Sequence, residues 1–96
     1  MEFLIKRTDG AWFSVHRNHF NEVLRPKTIR STPSPGWGDY RISIPNGEIA
    51  FSFEEQGLQI MFEKYSGTKE EAVTIIKEIL VNIRSLTGER GVIIDL

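Results

Sequence analysis

From Asp39 to Tyr65 the chain alternates apolar and polar residues through three runs, broken at Asn46-Gly47 and at or near Gln56-Gly57. Period-two alternation marks a strand with one buried and one wet face. Runs of this kind joined by tight turns predict a three-stranded antiparallel meander. Asn-Gly favours a type I′ turn, because both central residues take positive φ. A two-residue loop there sets Pro45 opposite Glu48, Ile44 opposite Ile49, Ile42 opposite Phe51 and Tyr40 opposite Phe53. In the third run Leu58, Ile60 and Phe62 continue the apolar face. Arg41, Ser43, Ala50, Ser52, Glu54, Gln59, Met61 and Glu63 fall on the other. The second turn holds two residues or four, and either length leaves the same side chains inside.

The period then changes. Between Thr68 and Leu86, Ala72, Ile75, Ile76, Ile79, Ile83 and Leu86 recur at helical spacing, with Val73 and Leu80 widening the stripe. Thr68 and Glu71 have the spacing of a capping box, and Gly88 is placed to end the helix. Val81 falls among the polar residues and is expected to be exposed. This stripe is wide enough to cover the apolar face of the meander. Val92-Ile93-Ile94-Asp95 reads as a short last strand.

The N-terminal part is less regular. Residues 2–7 and 11–16 read as a hairpin around Thr8-Asp9-Gly10, which gathers Phe3, Ile5, Phe13 and Val15 on one face. Trp12 then lies on the opposite face, only partly covered. From Arg17 to Arg25 the pattern fits a short helix capped by Asn18 or an irregular strand, ended by Pro26. Thr28-Ile29-Arg30 can add a short edge strand, and the Pro- and Ser-rich stretch 31–36 is composed as a loop. The expected fold is therefore a single α+β domain over residues 1–96. An antiparallel sheet, N-terminal hairpin plus meander, is packed on one face by a long C-terminal helix and closed by a short final strand.

Composition sharpens this modestly. A chain of 96 residues with 40% hydrophobic content can bury one core. It has no cysteine, so disulfide frameworks and thiolate metal sites are excluded. The apolar run in Met1–Arg7 is too short for a signal peptide, and no segment has the length of a membrane span. The expected location is the cytoplasm. Residues 1–41 carry seven Lys or Arg against four acids, a balance of +3, and residues 42–96 carry five against nine, a balance of −4. Such a dipole can steer a charged partner.

Candidate chemistry is sparse. His16, His19 and Glu22 are spaced for one helix face, but two imidazoles and an acid fall short of a metal site, and none is expected. No recognisable nucleophile, elbow or acid–base carboxylate pair appears, so no catalytic residue, enzyme activity or cofactor is expected. The most distinctive stretch is Gly36-Trp37-Gly38-Asp39. It lacks the Lys-Ser/Thr ending of a phosphate loop. Its glycines permit close approach and its Trp is a common interface anchor, although a Trp plugging the core at the sheet edge is the plainer reading. Arg25, Lys27 and Arg30, with Arg41 and nearby Trp37 and Tyr40, form the alternative, a strip suited to single-stranded nucleic acid.

The strand-rich N-terminal half, Gly36-Trp37-Gly38-Asp39 leading into Tyr40-Arg41-Ile42-Ser43-Ile44, and Glu48-Ile49-Ala50-Phe51-Ser52 before the long helix together resemble the small immunity proteins of bacterial polymorphic-toxin systems. The resemblance implies a cytosolic, non-enzymatic protein without cofactor that neutralises a cognate toxin by occluding it. On that expectation a protein partner docks on Trp37, Asp39, Arg41, Glu54 and Glu63. A small nucleic-acid-binding or regulatory domain using Arg25, Lys27 and Arg30 is the alternative. No membrane contact is expected. Open sheet edges at the last strand and at Thr28-Ile29-Arg30 make a homodimer as expected as a monomer.

Overall fold

The computed structural model covers residues 1–96 and is an α+β fold. The strands are β1 (Glu2–Arg7), β2 (Thr32–Pro33), β3 (Tyr40–Ile44), β4 (Gly47–Glu54), β5 (Gly57–Glu63) and β6 (Gly91–Asp95). They form one antiparallel sheet in the order β2-β3-β4-β5-β1-β6. A one-turn helix α1 (Phe20–Val23) follows a 3-10 turn at Arg17–His19, and the long helix is α2 (Lys69–Thr87).

The meander is present, with its faces as the alternation predicts. Ile42, Ile49, Phe51, Leu58, Ile60 and Phe62 are buried against α2, and Tyr40, Ile44 and Phe53 pack at the margin of the same core. The register of the first hairpin differs from expectation. Ile44 pairs with Gly47, Ile42 with Ile49 and Tyr40 with Phe51, so the two-residue loop is Pro45-Asn46. Proline holds φ near −65°, which forbids a type I′ turn at this position. The strands slide by two residues relative to the expected pairing, and a slip of two keeps every side chain on its own face. Gly47, at φ +151°, fits here because a Cβ would come within 2.8 Å of the Glu63 and Lys64 carbonyl oxygens. In the second hairpin Glu54 pairs with Gly57 around a loop of Glu55-Gln56.

Helix α2 starts and stops where its signals lie. Thr68 Oγ1 accepts from Glu71 N at 3.1 Å, the reciprocal carboxylate bond completes the capping box, and Gly88 at φ +80° ends the helix. Ala72, Ile75, Ile76, Ile79 and Ile83 are buried and Val81 is exposed. Leu86 corrects the expected stripe: it is 39% exposed and lines a surface hollow with Glu22, Val23 and Lys27.

The expected N-terminal hairpin is overturned in its second half. Residues 11–16 form no strand. β1 instead lies between β5 and β6, with Phe3 opposite Ile60 and Ile5 opposite both Leu58 and Ile93. Both edges of β1 are therefore occupied, and the chain after it must leave the sheet. It turns at Gly10 (φ +77°) and is held by Glu89, whose carboxylate accepts from Ser14 N at 3.0 Å and from Arg7 Nη1 at 2.9 Å. Phe13 still reaches the core, Val15 is partly buried against it, and Trp12 is exposed. The ambiguous stretch that follows is helical, but His16, not Asn18, caps it, by accepting from Asn18 N. Phe20, Val23 and Leu24 are buried, with Phe20 stacked on Phe53 at 5.3 Å. The edge strand expected at Thr28-Ile29-Arg30 lies at Thr32–Pro33, because Lys27 N and Thr28 Oγ1 are drawn away to Glu78 on α2. No helix is long and apolar enough to cross a membrane.

Buried aliphatic side chains contribute about 1.5–3 kcal/mol each. Ile79→Ala, at a fully buried position on α2, is expected to lower the urea unfolding free energy by about 2–5 kcal/mol. Lys77→Ala, two positions earlier on the exposed side, should change it by no more than about 0.5 kcal/mol.

Candidate binding face

Alternation that fills the core on one side of the sheet leaves the other side without a helix. On this open face Arg41 of β3 points outward among carboxylates. Its register partners explain the cluster. Glu48 on β4 and Glu63 on β5 stand directly opposite one another, and like charges in that position repel. Arg41 offsets this: Nε donates to Glu48 Oε1 at 2.9 Å, and Nη2 lies 2.5 Å from Glu63 Oε1. The Arg41 side chain is only 10% exposed, and its Nη1 has no hydrogen-bond partner. Burial alone would lower its pKa; the contacts with Glu63 and Glu48 outweigh it and hold the pKa above its ordinary value.

The Gly36–Asp39 loop closes over this cluster. The Trp37 ring lies 5.9 Å from Arg41 Cζ, at cation–π distance, and remains 49% exposed. Trp37 is thus on the open face rather than plugging the core. Gly36 permits the approach, since a Cβ there would sit 2.6 Å from Arg41 Cδ. Asp39 anchors the base of the loop: its N–H donates to Phe51 O at 2.8 Å and its Oδ2 accepts from Phe53 N at 2.7 Å.

Of the five residues expected to dock a partner, the structure brings Trp37, Arg41 and Glu63 into one cluster. Asp39 is bound to the backbone of β4, and Glu54 lies exposed at the far end of that strand, accepting from Ser52 Oγ at 2.5 Å. Glu48 is the member missed from sequence. The expected register put it opposite Pro45, whereas the observed one puts it opposite Ser43 and beside Arg41.

Arg25 turns onto its own loop, with Nη2 donating to Ser31 O at 2.6 Å, while Lys27 and Arg30 are exposed. Tyr40 belongs to the opposite face of the sheet from Trp37. Its ring packs edge-on to Phe20 at 5.8 Å, its hydroxyl donates to Asn21 Oδ1, and burial raises its pKa above 10.0 against the opposing pull of Arg25. His19 Nδ1 lies 3.2 Å from Glu22, but His16 Nδ1 accepts from Asn18 N, so the two imidazoles do not converge. No group of three or more His, Cys, Asp or Glu is placed to hold a metal ion.

Comparison with protein-family models, with curated proteins and with solved structures finds no match to this chain.

Removing one partner from a buried ion cluster leaves uncompensated charge. Arg41→Met is expected to destabilise the fold by about 3 kcal/mol in urea denaturation. Adding Glu48→Gln and Glu63→Gln to Arg41→Met should recover most of that loss, a non-additive result that separates charge repulsion from lost packing.

Proposed function

We propose that this chain is a non-enzymatic, cytosolic binding protein whose open sheet face, centred on Trp37 and Arg41, docks a protein partner. The specific role we assign it is that of an immunity protein, occluding a bacterial toxin domain. One observation carries the reading. A half-exposed Trp is laid over a nearly buried, fully charged Arg on a sheet face that no helix covers. Aromatic and Arg side chains held rigid in this way are the usual energetic centres of interfaces.

Charge favours a basic partner. Glu2, Glu48, Glu54 and Glu63 lie on this face against Arg41 and Lys6, a net of −2 from four acids and two bases. Such a face steers and orients a cationic surface. The hollow lined by Glu22, Val23, Asn82 and Leu86 encloses about 260 Å3 and that between Thr28, Ile44, Tyr65 and Ile75 about 250 Å3, both below the roughly 300–1,000 Å3 of small-molecule pockets, which favours a surface-binding role.

The reading is tested by capture from the native host followed by co-expression. The wild-type chain is expected to retain a partner that is toxic when expressed alone and harmless beside this chain. Trp37→Ala should weaken that capture at least roughly thirtyfold, as loss of a hot-spot residue does, while leaving the circular dichroism spectrum unchanged. Undiminished capture and protection by the Trp37→Ala variant would remove this face from the interface.

A further inference from the structure

The two ends of the sheet are treated differently. At one end β2 is two residues long and contains Pro33, which has no N–H to offer. This is a guarded edge. At the other end β6 runs for five residues, Gly91–Asp95, with β1 as its one neighbour. Thr8 N donates to Arg90 O, and Leu96 N donates to Glu2 O. Antiparallel partners exchange hydrogen bonds at alternate residues, so 90, 92, 94 and 96 address β1. Gly91, Ile93 and Asp95 then present their N–H and C=O groups to the outside.

This outer edge is self-complementary about Ile93. We propose that β6 is a homodimer interface, in which the β6 strands of two copies pair antiparallel around a two-fold axis at Ile93. In that register Ile93 faces Ile93 of the second copy, and Gly91 faces its Asp95, each pair exchanging both backbone bonds. Val92 faces Ile94 of the second copy across a closer, non-hydrogen-bonded pair. Val92 and Ile94 are 51% and 37% exposed in the single chain, on the open face, and the pairing covers both.

The other face fits as well. Beside Gly91 lies a hollow of about 190 Å3 lined by Leu80, Val81, Arg84 and Arg90. Asp95 points to this helix side of the sheet, where it pairs with Lys69. The two-fold brings the second copy's Asp95 opposite Gly91, next to two arginines. Val81, an exposed apolar side chain on the polar flank of α2, borders the same hollow. The backbone bonds, the apolar pairs and the charges thus agree on one register. The result is a twelve-stranded sheet, six strands from each copy, with both open faces turned the same way.

The test is charge exchange at the two exposed positions, read by sedimentation equilibrium. The wild-type chain is expected to double in mass with rising concentration. Val92→Lys/Ile94→Lys sets like charges opposite each other twice, and this variant should stay monomeric, as should Val92→Glu/Ile94→Glu. An equimolar mixture of the two should regain the doubled mass, because each Lys then faces a Glu. Circular dichroism should show both variants folded as the wild type, since neither side chain belongs to the core. A wild type that stays monomeric up to its solubility limit would overturn the proposal. So would a mixture of folded variants that fails to pair.

Discussion

A carboxylate almost cut off from water must be met by donors, and the way Glu89 meets this requirement decides how the ends of the chain are arranged. Its side chain is only 7% exposed. It accepts from the Ser14 backbone and hydroxyl and from Arg7, and it lies 3.1 Å from the Thr87 hydroxyl. Each of these groups would cost free energy if buried without a partner. One side chain therefore ties the end of β1, the segment after it and the end of α2 together. With residues 11–16 bound in this way, β1 has no hairpin mate beside it, and its flank is free for β6. The sheet order follows from that competition.

What the sequence shows of this fold is what depends on near neighbours. Thr68 and Glu71 lie within one turn, and the alternation of β3, β4 and β5 is written within each strand. Elements fixed by such contacts appear as expected. The segment 11–16 has the alternation of a strand too, and it buries Phe13 as a strand would. Its backbone partner is nonetheless a carboxylate 75 residues away from Ser14, and no local pattern signals that distance. The hairpin register fails for a more instructive reason. Asn46-Gly47 carries the turn signature, but Pro45 immediately before it fixes its own φ and takes the first central position. Two local rules compete there, and the covalent one prevails.

The open face shows the same dependence on register. From sequence, Arg41 and Glu63 share a side because parity places them there, and parity survives a slip of two; Trp37 lies in a loop, where no parity applies, and its plainer reading as a core plug is overturned. Which carboxylate meets Arg41 does not survive it, so Glu48 is seen only in the structure. The cluster is also double in character. Glu48 and Glu63 need Arg41 for stability, yet a guanidinium with an unpaired Nη1 beneath an exposed indole is chemically unfinished.

The position of β1 has a consequence for biosynthesis. Phe3 and Ile5 are made well before the strands that flank them, β5 and β6, which begin at Gly57 and Gly91. Until those strands emerge, the nascent chain carries an apolar strand with two bare edges. α2, which covers its inner face, is also still to be made. Long-range pairings close slowly because the loop entropy must be overcome before any contact rewards it. Of the strands of the sheet, β1 is therefore the one made first and completed last, and its apolar side chains must be shielded longest.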